Sequence, residues 1–381
     1  LYVDVNNDET YDPETEKFVL SPETGVDAYH DGDYSNGEVF VSSPVTLDYV
    51  GDGILDYMFY FTDAAEPAGG APASDNTVTV TLGSPGISGT VYTDEGLTTI
   101  ADGATVRLII NGVDAGTATT SGGAYASAAT VSSGDNVVAY LDGHAVDGTT
   151  VTVAGGSSLS GLDIYGGHLI TKNDNAGSQT NAFMSAAKGA SSDAEILYSV
   201  ASGDLTVSGA GTKLYVPTGY TFTPGGAVSA EHVDVNGTFN SEANAVNVSG
   251  NWEVAAAGAF ISAGTVTFNA SNGTVAITPG GTDGNHDFHN VLFNDSAGTA
   301  LFQLAGDIVA AGHFTITNGM VDTTAADYDV TVGGDFSQAA GSQMRAYSSV
   351  ITVTGNFNAD GSADDVDPVS YPASVVSAYY N

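Results

Sequence analysis

Between residues 193 and 356 the chain keeps returning to one theme: short runs in which β-branched or aromatic side chains alternate with polar ones, each closed by Gly, Asn, Asp or Ser. Leu205–Ser208, His232–Val235, Val246–Val248, Thr265–Phe268, Asn290–Phe293, His313–Ile316, Asp329–Val332 and Val350–Val353 are the clearest. A period of two marks a strand with one buried face. The stretch also resembles itself. His232-Val-Asp-Val, Gly237-Thr-Phe239, Val246-Asn-Val-Ser-Gly-Asn-Trp252 and Thr265-Val-Thr-Phe268 return about 80 to 85 residues later as His313-Phe-Thr-Ile, Gly319-Met-Val321, Val330-Thr-Val-Gly-Gly-Asp-Phe336 and Ile351-Thr-Val353. Strands this short bury their apolar faces by stacking coil on coil, so a β-solenoid is expected over 193–356.

With 381 residues, 42% of them hydrophobic, there is enough apolar surface for two or three domains. Charge narrows the functions. Forty-five Asp and Glu stand against six Lys and Arg, a formal net charge of −39. That excludes a basic nucleic-acid footprint and disfavours an anionic membrane surface. Self-repulsion of this size calls for salt or bound divalent cations. No cysteine is present, so disulfides and thiolate metal sites are ruled out. No run of 18 apolar residues occurs, which speaks against membrane insertion by a helix. Leu1 follows neither a methionine nor a signal-peptide pattern, as expected of a processed chain or a piece of a longer one.

Three acidic segments have the oxygen spacing that a hard cation such as Ca2+ needs. The first is Asp4, Asn6, Asp8, Thr10 and Asp12, although Glu9 stands where a sharp turn normally wants glycine. The second is Asp48, Asp52, Ile54 (through its carbonyl) and Asp56, with Val50 in a ligand position and Asp31 or Asp33 able to complete the set. The third and fullest is Asn356, Asn358, Asp360, Ser362, Asp364 and Asp367, with Gly361 at the turn. The first two resemble the Asp-rich calcium loops of thrombospondin type 3 and dockerin-like repeats, over about nine residues each.

Residues 64–74 are small, Pro- and Gly-rich and without period, the mark of a linker. Beyond it, Thr77–Leu82, Ile87–Tyr92, Thr105–Ile110, Asn136–Leu141 and Thr149–Val153 follow as strands with glycine turns, the pattern of a β-sandwich. Ile87-Ser-Gly-Thr-Val-Tyr, Ala101-Asp-Gly-Ala-Thr-Val and Gly116–Tyr125 resemble carboxypeptidase-regulatory-like and other immunoglobulin-like modules, which implies a non-catalytic spacer. Asn181–Lys188 is the one convincing helix, with Asn181 as its cap and Phe183, Met184 and Ala187 on one side, and it is expected to cover the first coil. From Val228 to Gly361 the Gly-x-Phe, Val-x-Val-x-Gly-Asn-Phe and Thr-Val-Thr-Phe elements resemble the repeats of very large bacterial cell-surface proteins predicted to form right-handed β-helices.

The expected fold is therefore all-β. An acidic calcium-loop β domain spans 1–63, a linker and first strand 64–85, an immunoglobulin-like sandwich 86–165, a connector or cap 166–192, the solenoid 193–356, and an acidic loop with a terminal edge strand 357–381.

Catalysis is poorly provided for. Lys213 and Arg345 are the only Lys or Arg between 193 and 356, too few for a polysaccharide lyase. A hydrolase needs two carboxylates a short distance apart, and Asp322, Asp327, Asp329 and Asp335 sit at turns, where Asp is common anyway. His286, Asp287 and His289 could ligate a metal, and His232 and His313 occupy matching places in the two repeats. Trp252 aligns with Phe336, which makes it core rather than ligand platform. Five Asn-x-Ser/Thr sites, at Asn236, Asn247, Asn269, Asn272 and Asn294, reflect the same coil composition. The expected function is that of a non-enzymatic, secreted structural protein at the cell surface. It binds Ca2+ and assembles with copies of itself. A carbohydrate-binding adhesin and a β-helix polysaccharide-degrading enzyme are the rivals.

Overall fold

The structure, a computed structural model, describes residues 86–359 except Ser296, together with the strand segments Tyr2–Val3, Ser21–Pro22, Phe40–Val41, Phe59–Tyr60 and Ser377–Ala378. The chain divides into two compact units, Leu1–Leu82 and Gly83–Asn381. In the first, Tyr2–Val3 pairs antiparallel with Phe59–Tyr60, and Ser21–Pro22 with Phe40–Val41. The expected strand Thr77–Leu82 lies outside the described residues.

The second unit is nearly all β and is dominated by a β-solenoid. Its backbone is a 12-stranded sheet, the long face. The sheet runs from Val113–Thr119 through Thr105–Ile110, Asn136–Asp142, Thr149–Val153, His168–Thr171, Lys213–Val216, His232–Val235, Trp252–Val254, Thr274–Thr278, Leu301–Leu304 and Met320–Asp322 to Gln343–Arg345. The first four strands pair antiparallel; from Thr149–Val153 onward every pairing is parallel. A second face of nine strands runs from the hairpin Tyr198–Ala201/Asp204–Val207 to Phe357–Ala359. The third face consists of two four-stranded groups. Between them the Phe260 N–H donates to Asn285 O, and Phe288 bridges to Ala310.

The sandwich expected over 86–165 is thus not set apart from the solenoid. Its strands Thr105–Ile110, Asn136–Asp142 and Thr149–Val153 belong to the same sheet as the coils. The reason lies in Asn136–Asp142, whose run Val137-Val-Ala-Tyr-Leu141 is apolar without alternation. Such a run suits a strand covered on both faces. Val137, Ala139 and Leu141 enter one core with Ile87, Val91, Tyr125, Leu162 and Ile164. Val138 and Tyr140 enter the other, the solenoid core, with Met184, Ala187 and Leu214. One strand therefore joins the strands of 86–165, which cap the first coil, to the solenoid.

Asn181–Lys188 is a helix, with Met184 and Ala187 buried, but Phe183 is 40% exposed. The N-cap is Thr180 rather than Asn181: its backbone is extended and its hydroxyl accepts the Phe183 N–H, while Asn181 is already inside the first turn. The Tyr198 hydroxyl donates to Met184 O and ties the helix to the first hairpin of the second face.

Inside the solenoid two aromatic ladders follow the coils. Phe222, Phe239, Phe260 and Phe288 line the third face with ring centroids 5.3 to 5.6 Å apart. Phe268, Phe293, Phe314, Phe336 and Phe357 line the second face at 4.8 to 5.5 Å. Trp252 is 1% exposed, with Phe260 4.7 Å away. Coils stack so closely at the corners that a Cβ on Gly237 would collide with the carbonyl oxygens of Pro217 and Tyr220. The outer row of the second face reads Thr206, Ser229, Asn247, Thr267, Leu292, Thr315, Ser337 and Asn358 in continuous register.

The 80-residue self-similarity is not the coil repeat. Val233 pairs with Trp252 one coil on, Trp252 with Ile277, and Ile277 with Leu304, so a coil takes 19 to 27 residues. His232 opens a strand of the long face, whereas His313 precedes Phe314–Asn318 on the second face; Trp252 and Phe336 are divided in the same way. What recurs is a corner. His232 Nδ1 accepts the N–H of Asn251 at 2.7 Å, and His313 Nδ1 accepts that of Asp335 at 3.0 Å, each from the residue just before the aromatic one.

Candidate functional site

Parallel coils leave a backbone N–H to be satisfied at each corner, and this chain uses polar side chains there. Asn290 Oδ1 accepts from the His313 N–H, His313 Nδ1 from Asp335, and Asp335 Oδ1 from Asn356. Asp307 Oδ1 accepts from Asp329, and Asp329 Oδ1 from Val350. Asp327 Oδ1 accepts from Ser348. The backbone hydrogen bond from Asn356 is the main reason that the Asp335 carboxyl lies below the usual carboxylate range. Asp322, 2% exposed, pairs with Arg345 at 3.1 Å and accepts the Thr324 N–H. The four carboxylates considered as hydrolytic candidates are all engaged in holding one coil or turn to another.

His286 is held in a similar way: 5% exposed, it bonds to Asp283 through Nδ1 at 2.6 Å and packs over Gly280 and Gly281. Among the described residues no group of three or more His, Asp or Glu is arranged to hold a metal ion.

Most of the candidate calcium ligands, Asp4, Asn6, Asp8, Thr10, Asp12, Asp31, Asp33, Asp48, Asp52, Ile54, Asp56, Asp360, Ser362, Asp364 and Asp367, lie outside the described residues. Asn356 and Asn358 lie within them. The Asn356 side chain donates to Asp335 Oδ1 at 3.1 Å, and Asn358 sits in the strand Phe357–Ala359 opposite Ser337.

The richest titratable cluster is one that sequence reasoning missed. It lies on the outer side of the long face, where cap meets coils. An Asx turn at Asp94, whose Oδ1 accepts the N–H groups of Leu97 and Thr98 at 2.8 Å, shapes the loop after Ile87–Tyr92 and carries Glu95. The Glu95 carboxylate accepts from His168 Nε2 at 3.0 Å and from Lys213 Nζ. Lys213 reaches on to Asp234 Oδ2 at 3.5 Å. His168, Lys213 and His232 are in register on successive strands, as are Tyr215, Asp234 and Glu253. Tyr165 stands edge-on to Tyr92 at 5.6 Å and 6.0 Å from His168. Tyr215 lies 5.7 Å from Tyr165 and receives the Asn236 side-chain N–H on its hydroxyl.

Burial decides the electrostatics. Asp234, 4% exposed, is pushed up to about 6, chiefly by desolvation and next by the Glu95 charge, with Lys213 opposing both. Burial pushes Glu95 up as well, but the hydrogen bonds from Lys213 and His168 outweigh it and hold Glu95 below its ordinary value. For Lys213 burial works downward, and the bond to Glu95 wins, raising it. One ammonium is thus shared between a carboxylate that stays ionised and a carboxyl that is pushed up to about 6.

Glu95 is 118 residues from Lys213, so no local motif could announce the pair. A signal existed in Tyr215 and Asp234, which occupy outward positions of strands that otherwise alternate cleanly. No helix among the described residues is long and apolar enough to cross a membrane. Comparison with family models, curated proteins and solved structures gives no match for this chain.

Proposed function

We propose that the protein is a secreted structural subunit of an extracellular filament, sheath or surface layer. The observation that carries this reading is the uninterrupted long sheet, which makes cap and coils one stiff body. Parallel strands spaced about 4.8 Å apart give the eight coil strands from His168–Thr171 to Gln343–Arg345 a length of about 34 Å. Two further features support it. The polar side chains at the described coil corners bind neighbouring coils, and the second face offers a row with no charged residue in a chain of net charge −39.

In this reading residues 86–165 are an immunoglobulin-like module used as a fixed cap, and the coil is right-handed. Ca2+ held by the acidic segments of 1–63 and 357–381 lowers repulsion between copies, which assemble through their ends. Electron microscopy of the purified full chain with Ca2+, then with a chelator, tests the reading. Filaments or sheets that disperse on chelation support it. A monomer indifferent to Ca2+ at every concentration overturns both the assembly and its calcium dependence.

A further inference from the structure

The hydrogen bonds around His168 count protons. Its Nδ1 lies 2.6 Å from Gly166 O and its Nε2 3.0 Å from Glu95 Oε1. A backbone carbonyl and a carboxylate both accept, so an imidazole with a single N–H can serve only one of them. With Glu95 held ionised by Lys213, the arrangement closes fully when both ring nitrogens carry hydrogen. At the same time Glu95 competes with Asp234 for the Lys213 ammonium.

We propose that Glu95, His168, Lys213 and Asp234 form a proton-loaded latch that fastens the 93–98 loop of the cap to the first coils and releases it as protons leave. Two losses act in the same direction. Deprotonation of the imidazole sets a lone pair against Glu95 or Gly166 O. Ionisation of Asp234, whose buried carboxyl titrates near 6, draws Lys213 away from Glu95.

The other charged groups facing the latch are few. Asp94, on the same loop, is bound to its own turn. From the neighbouring coils Glu253 adds negative charge beside Asp234, and His232 stands beside Lys213 with Glu231 behind it. The phenols of Tyr165 and Tyr215 are raised by burial and stay neutral through this range. Gly96 lies against Tyr165, where a Cβ would stand 3.2 Å from the hydroxyl, so release of the loop uncovers that ring. The inference is independent of the filament reading.

Hydrogen exchange of the 93–98 amides in the full chain, corrected for the intrinsic pH dependence of exchange, tests the latch. Protection is expected to fall at least tenfold between pH 5 and pH 8, a window that spans the titration of the Asp234 carboxyl. His168→Gln is expected to show low protection at both ends, and Asp234→Asn to retain part of the protection at pH 8. Equal wild-type protection at pH 5 and 8, or a His168→Gln profile that follows the wild type, overturns the proposal. Should His168→Gln fail to fold, ring 15N shifts of wild-type His168 decide. Two ring N–H groups at pH 5 and one at pH 8 support the latch; an unchanged ring overturns it.

Discussion

The long face and the second face are laid on the same coils, yet their outer rows obey different rules. On the long face the outer side carries the ion pairs Lys213–Asp234 and Asp322–Arg345, each across neighbouring strands, with Glu253 beside Asp234. On the second face Ser229, Asn247, Thr267, Leu292, Thr315 and Ser337 succeed one another without a charge. The inner rows do not differ in this way: Leu214, Val233 and Trp252 on one side, and Val248, Phe268 and Phe293 on the other, are all apolar and buried. Coil stacking is therefore specified from inside, and the outer rows are left to set how the body meets its surroundings.

The largest effects should be blind to the face. Phe268→Ala and Trp252→Ala, each truncating a fully buried ring, are expected to cost about 3–5 kcal/mol apiece. Denaturant titration gives the cost, and hydrogen exchange should show both faces loosening together. If either substitution loosens only its own face, the shared core is refuted.

Asp234 sharpens the contrast next. Its folded pKa is raised, so the fold binds that proton more tightly than the unfolded chain does. The stability it contributes is complete below about pH 4 and is lost as pH rises through about 6. Against Asp234→Asn, the wild type should lose about 2–3 kcal/mol between pH 4 and pH 7.5, as followed by urea unfolding. Parallel pH profiles for the two proteins would remove Asp234 as the cause.

Arg345→Ala strands the buried Asp322 carboxylate, and because Arg345 is itself partly exposed the expected cost is about 1–3 kcal/mol. Thr315→Ala, on the second face of the same region, should stay within about 0.5 kcal/mol. Comparable costs would mean that the charged row matters no more than the uncharged one. The smallest change in stability is expected from Thr267→Asp, within about 0.5 kcal/mol, although it puts a charge in the middle of the neutral row. If copies pack side by side on that face, light scattering should show assembly lost while the melting curve hardly moves. Unimpaired assembly would confine the contacts to the ends or to another face.

Much of this architecture is legible in the residues. Runs such as Thr265–Phe268 and His232–Val235 declare strands because side-chain alternation is local, and the same alternation marks Trp252 as core. Face assignment is not local. Coils of 19, 25 and 27 residues drift relative to any fixed period, so His232 and His313 look equivalent although they stand on different sheets. The joining of cap and solenoid is half legible: the doubly apolar run Val137–Leu141 demands two cores but cannot name its partners. Of the titratable cluster little can be foreseen, because Glu95, His168 and Lys213 meet only through the pairing of distant strands.

The passage from antiparallel to parallel pairing at Thr149–Val153 also sets an order of events. Hairpins of the cap close over short sequence separations, whereas a lone coil has no edge on which to form. Asn136–Asp142 and Thr149–Val153 supply that edge, and each finished coil becomes the template for the one after it. Growth is then expected to run from the cap toward Phe357–Ala359, the direction in which a ribosome delivers the chain.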